Sequence, residues 1–144
     1  MAVRWALIRL GLSGTYTFAI TDASGLSIPS FSVTIAPAAP AKLVIVPPSG
    51  AVMGTAASAS VSVEDAYGNI TSADETDSIT LTLVSHPTGS TLSGGGPVTI
   101  KNGLASFGSL VFSTKGNYTI EATMTGPITP LLAAATSSTF AVAV

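Results

Sequence analysis

Gly116-Asn117-Tyr118-Thr119-Ile120-Glu121-Ala122-Thr123-Met124 alternates apolar and polar side chains without a break from Tyr118 onward. In an extended chain such alternation puts every second side chain on one face, so one face meets a core and the other meets water. The same period of two recurs where Val61 and Val63 sit among Ser60, Ser62 and Glu64, and where Ile79, Leu81 and Leu83 sit between Thr80 and Thr82. No long stretch carries the 3.6-residue period of an amphipathic helix. The pattern predicts strands near 15–21, 31–36, 42–46, 57–65, 78–84, 98–101, 104–112, 117–125 and 136–144. Turn-forming runs separate them, among them Pro47-Pro48-Ser49-Gly50, Tyr67-Gly68-Asn69, His86-Pro87-Thr88-Gly89 and Gly94-Gly95-Gly96-Pro97. Asn102-Gly103 suits a type I′ hairpin turn joining 98–101 to 104–107, since both residues tolerate positive φ. Short strands with turns every 8–12 residues or so predict an all-β fold, an antiparallel β-sandwich of about seven strands, with extra strands at the N-terminus.

The opening stretch is also said twice. Gly14-Thr15-Tyr16-Thr17-Phe18 returns as Gly116-Asn117-Tyr118-Thr119-Ile120, and Phe31-Ser32-Val33-Thr34-Ile35 matches Phe140-Ala141-Val142-Ala143-Val144. Trp5, Ile8 and Leu10 fall where Phe107, Leu110 and Phe112 fall, which favours a strand at the start of the chain over a short amphipathic helix. Self-similarity at a fixed period marks an array of units. Residues 1–40 then read as the C-terminal strands of a truncated preceding repeat plus a linker, and 41–144 as a complete repeat. The linker Ala36-Pro37-Ala38-Ala39-Pro40 should be extended and stiff, because proline fixes φ and removes a donor.

Four segments in order, Pro40-Ala41-Lys42-Leu43-Val44-Ile45, Val63-Glu64-Asp65-Ala66-Tyr67-Gly68-Asn69, Asn102-Gly103-Leu104-Ala105-Ser106-Phe107 and Lys115-Gly116-Asn117-Tyr118-Thr119-Ile120-Glu121-Ala122-Thr123, resemble the bacterial Ig-like repeats of invasin- and adhesin-like chains. The resemblance covers 41–144 fully and 5–36 as a remnant. It implies an immunoglobulin-like sandwich on an extracellular or cell-surface protein, where such repeats act as spacers, adhesin stalks or appendages to enzymes. The Gly-x-Tyr step is similar to the tyrosine corner of immunoglobulin domains, which implies a structural role for Tyr118: its ring packs and its hydroxyl bonds the backbone. Immunoglobulin domains often carry Cys two residues after that Tyr. Ile120 stands there in this chain, so packing alone must join the sheets.

Composition narrows the function classes. Charged residues make up 8% of the 144-residue chain, against roughly 25% in average soluble domains. Five Lys and Arg residues and a net charge of −2 leave no basic patch for phosphates, which argues against nucleic acid as partner. Cys is absent, which removes disulfides, thiolate metal sites and cysteine nucleophiles. Mean hydropathy is +0.60, yet Pro, Thr, Lys or Gly breaks each apolar run well short of the ~20 residues a membrane helix needs, so no membrane insertion is expected. Nor does the N-terminus suit a signal peptide, since Arg9 interrupts the apolar run and a small-residue cleavage pattern is missing.

Three places invite chemistry. His86, the single histidine, would be a general base beside a Ser in a small metal-dependent ester or lactone hydrolase; otherwise it opens the His86-Pro87-Thr88-Gly89 turn. No Gly-x-Ser-x-Gly elbow supports the first alternative. The acidic run Glu64, Asp65, Asp74, Glu75, Asp77 offers carboxylates to Ca²⁺, with Asp65, Asp74, Glu75 and Asp77 as candidate ligands; in the other reading Asp65 caps the Tyr67-Gly68-Asn69 turn within a solvated loop. The spacing matches no EF-hand, and no other cofactor is implied. Exposed loop residues such as Tyr67 suit a glycan or another surface.

The truncated copy also predicts partners. Tyr16, Phe18, Ile20, Phe31, Val33 and Ile35 would share one apolar face on too few strands for a sandwich. Burying one large apolar side chain contributes ~1.5–3 kcal/mol, so this face should find cover from a neighbouring Ig-like repeat or by self-association through residues 1–40. The function expected is a non-catalytic structural or adhesive repeat. A carbohydrate- or surface-binding module is the alternative.

Overall fold

A computed structural model describes residues 8–21, 25, 27–72, 76–127 and 131–144. Among them there is no helix. Strands β1 (Gly14–Thr21) and β2 (Ser27–Ile35) pair with each other as an antiparallel hairpin. The remaining strands form two sheets. One runs β3 (Lys42–Val46), β5 (Ala57–Glu64), β9 (Leu104–Phe112), β7 (Leu92–Ser93). The other runs β4 (Ala51–Val52), β12 (Phe140–Ala143), β10 (Gly116–Thr125), β6 (Ser78–Ser85), β8 (Val98–Thr99), with β11 (Ala135–Thr136) also on β10. Among the described residues the β4–β12 pairing is parallel and the others are antiparallel. The protein is thus a β-sandwich preceded by a two-stranded hairpin.

The alternation on β10 is used as its sequence demands. Tyr118, Ile120, Ala122 and Met124 are buried, and Thr119, Glu121 and Thr123 face partly outward. They meet Val61, Val63, Ala105, Phe107, Leu110 and Phe112 of the facing sheet in one apolar cluster. Phe112 packs edge-on against Tyr118 at 5.0 Å and against Phe140 at 5.4 Å, a geometry that aromatic rings prefer. Phe107 and Leu110 lie three residues apart yet both point inward. Their partners Ala59 and Ala57 lie two apart, so β9 carries an extra residue, a β-bulge around Gly108 and Ser109.

The Asn102-Gly103 turn has φ of 50° and 75°, and Lys101 and Leu104 exchange both backbone hydrogen bonds at 2.9 and 3.0 Å. The turn is as expected, but what it joins is not. β8 pairs β6 in the opposite sheet, and Ile100 donates its N–H to Asp77 O. The turn is a corner between sheets rather than the tip of a ribbon.

Three other expectations are corrected. Residues 8–13 are not a strand; Ile8 is 61% exposed, and the backbone of 11–13 is engaged by side chains rather than by a neighbouring strand. Trp5 lies outside the described residues. The hairpin register pairs Tyr16 with Val33 and Gly14 with Ile35, whereas β10 and β12 pair Tyr118 with Phe140 and Gly116 with Val142. Ile35 therefore corresponds to Val142, two residues away from the match read in the sequence; an even slip keeps every side chain on the same face. Last, 136–144 is not one strand. Ser137 interrupts it, donating its N–H to Ile120 O at 2.8 Å while its Oγ accepts the Ile120 N–H at 3.1 Å.

Candidate functional site

Asp65, at the end of β5, is fully buried, and its carboxylate is filled by N–H donors. Oδ1 accepts from the backbone of Tyr67 at 2.8 Å and of Asn69 at 2.9 Å. Oδ2 accepts from the Asn69 side chain at 2.8 Å and from the Ala38 backbone at 2.9 Å. Burial, the largest single influence, pushes the Asp65 carboxyl up, but those four hydrogen bonds together outweigh it and hold the group well below its ordinary 3.8. The capping role read in the sequence is what the loop displays. The converging N–H groups have the wrong polarity to share an oxygen with a cation.

The other candidate ligands lie elsewhere or outside the description. Asp77 is also fully buried, but its surroundings are Ile100, whose N–H bonds its carbonyl, and Gly126, where a methyl group would overlap its carboxylate. Asp74 and Glu75 lie outside the described residues. Among the described residues no three His, Cys, Asp or Glu side chains come together in a metal-binding group.

His86 does touch a serine. Its Nδ1 lies 2.9 Å from Ser90 Oγ and 3.1 Å from Pro87 O. Ser90 Oγ donates its proton to Pro87 O at 2.7 Å, and Nδ1 lies against both oxygens. With its proton given to Pro87 O, Ser90 is not activated through His86 Nδ1 as a serine nucleophile would be. The arrangement closes the turn and holds His86 at its mouth.

A depression of about 600 Å³, open to solvent, is lined by small residues of the β3–β5 and β9 region, including Ala56, Ser58, Ser60, Ser106 and Gly108. No ionisable side chain lines it. Tyr67 projects from its loop, 67% exposed, beside Gly11.

Asn69 escaped notice in the sequence, where it reads as a turn former. It is 7% exposed, accepts the Ser13 N–H on Oδ1 at 2.7 Å and donates from Nδ2 to Gly11 O at 3.0 Å. Its signal, an Asn four residues after an Asp across a Gly, is common to many turns.

The fold and these loops define the class as an all-β sandwich. No protein-family model matches the sequence, and no curated protein matches it. Among solved structures, the chain is similar to a glycosyl hydrolase family 2 member from Bacteroides cellulosilyticus, with a TM-score of 0.56 and 10% identity over 90% of this chain. The chain spans 17% of the length of that protein. At this identity the likeness is one of fold.

Proposed function

We propose that the chain is a non-catalytic structural or adhesive Ig-like repeat of a bacterial cell-surface or secreted protein, in which sandwiches in series hold a terminal module at a distance. The observation that carries this reading is that the hairpin repeats the corner of the sandwich. Tyr16 donates its hydroxyl to Leu12 O at 2.8 Å and Tyr118 to Thr114 O at 2.6 Å, each four residues back, and the preceding glycines hold φ of 145° and 142°. Two independent folds have no reason to share a backbone conformation that L-residues avoid. Residues 1–40 are then the end of one unit and 41–144 the next.

In this reading the apolar face of β1–β2 is covered by a neighbouring repeat or by a second copy of the chain. Light scattering at rising concentration separates the two. A mass that doubles, and returns to monomer in Phe18→Ser, supports self-association; a monomer throughout leaves the neighbouring repeat. An ester and lactone panel tests the absence of catalysis, and turnover abolished in His86→Ala would overturn it.

A second reading, a carbohydrate-binding module, is favoured by the exposed ring of Tyr67 and by the glycosyl hydrolase that shares the fold. A glycan screen decides it, with binding lost in Tyr67→Ala as the supporting result.

A further inference from the structure

Among the described residues, hydrogen bonds join the hairpin segment to the sandwich at two places, and both meet the same pair of side chains. Asn69 Oδ1 takes the Ser13 N–H and Asn69 Nδ2 reaches Gly11 O, so one side-chain amide makes the donor-acceptor pair that a neighbouring strand would make. A second hydrogen of Nδ2 goes to Asp65 Oδ2, and that same oxygen accepts the Ala38 N–H of the proline linker. Asn69 is nine-tenths buried and Asp65 wholly so. Gly11 sits against Tyr67, with room for a methyl group 3.7 Å from the ring. The gripped segment is itself shaped from the other side, because Leu12 O, between the two gripped groups, accepts the Tyr16 hydroxyl.

We propose that Asp65-Ala66-Tyr67-Gly68-Asn69 is a latch for the tyrosine corner of an adjoining unit, and that it fixes hairpin and sandwich in one orientation where a proline linker alone would leave torsional freedom. The proposal rests on the repeat reading above and names the contact between repeats. It also assigns a matching port. Ser113-Thr114-Lys115 stands to Tyr118 as Gly11-Leu12-Ser13 stands to Tyr16, with Thr114 O bonded to the Tyr118 hydroxyl and with Ser113 and Lys115 exposed. The Lys115 N–H and Ser113 carbonyl are the groups that the Asn of a second such loop takes. The partner is therefore another sandwich bearing an Asp-x-x-x-Asn loop behind a proline-containing linker.

The test is amide hydrogen exchange and residual dipolar couplings on the full chain. In the wild type, Ser13 exchanges slowly, and amides of β1, β2, β5 and β10 fit one alignment. Asn69→Ala speeds Ser13 exchange about tenfold, the worth of one typical hydrogen bond, and splits the alignment in two while β5 and β10 keep their exchange rates. Ser13→Pro removes the donor without touching the loop and splits the alignment likewise. Equal Ser13 rates in wild type and Asn69→Ala, or two alignments in the wild type, overturn the latch. Appending a second 36–144 directly after Val142, the counterpart of Ile35, should slow Lys115 exchange, and replacing the Asn of the appended loop by Ala should restore it; an unchanged Lys115 rate overturns the port. A glycan ligand or a catalytic activity would unseat the spacer reading and leave these rates untouched, whereas failure of the latch would leave a spacer whose units twist about the stiff linker.

Discussion

Val33 is 38% exposed where its counterpart Phe140 is buried, and Phe18 is partly exposed where Ile120 is wholly buried. The two hairpins share the glycine conformation, the tyrosine hydrogen bond and the antiparallel pairing, so local sequence settles all of these without a core. What differs is company. β10 is flanked by β6 and faced by β5 and β9, while β1 pairs β2 and Phe31 and Ile20 stay 49% and 48% exposed. The hairpin compensates within itself: Phe18 stacks on Phe31 at 5.3 Å, and on the other face Thr15 bonds Thr34 and Thr17 bonds Ser32. Backbone shape is thus a local property here, and burial is a property of the neighbours.

The sharpest way to break this contrast is to truncate matching side chains. Ile120→Ala should cost about 2–5 kcal/mol in urea unfolding, because it opens a cavity in a closed core, while Phe18→Ala costs less than about 1 kcal/mol. Equal costs would mean that the hairpin face is covered in solution. Next comes acid. Because the Asp65 carboxyl is depressed in the folded state, its contribution is complete above the ordinary value of 3.8 and is lost as the pH falls below it toward the folded value. Melting followed from pH 7 downward should show this loss, and Asp65→Asn should melt lower at pH 7 and depend less on pH below about 4. An identical acid limb in that variant would sink the assignment.

Smaller effects probe the corners. Tyr118→Phe should cost about 1 kcal/mol by removing a buried hydroxyl from Thr114 O, and Tyr16→Phe about 0.3 kcal/mol, since its bond is exposed. Lys42→Ala should cost about 0.5 kcal/mol or less, because the 3.5 Å pair with Glu64 is solvated on the lysine side. Melting in EDTA and then in excess Ca²⁺ should leave the midpoint unmoved; a rise with Ca²⁺ alone would place a cation on the acidic run at 74, 75 and 77.

The period-two strands of the sandwich were legible because their apolar positions turn to one core, as at Val61, Val63, Ile79 and Leu81. The cap at Asp65 and the structural role of Tyr118 were legible too, since each rests on residues close in the chain. Partner choice was not. β4, β7, β8 and β11 are two residues long, too short to print a period, and β8 joined the far sheet although its turn read as a ribbon. Asn69 reaches 58 residues back to Gly11, and no local rule announces a contact at that separation.

The bulge in β9 acts as a parity switch. Before Gly108 the odd-numbered side chains, Ala105 and Phe107, enter the core; after Ser109 the even-numbered ones, Leu110 and Phe112, do. Deleting either spacer residue would leave Phe107 and Leu110 two apart, as their partners Ala59 and Ala57 are, so Leu110 and Phe112 would still enter the core from an unbulged strand. A single lost codon there would thus straighten the strand and keep the aromatic cluster, whereas the same loss at Val111 would place Phe112 directly after Leu110 and turn its ring outward.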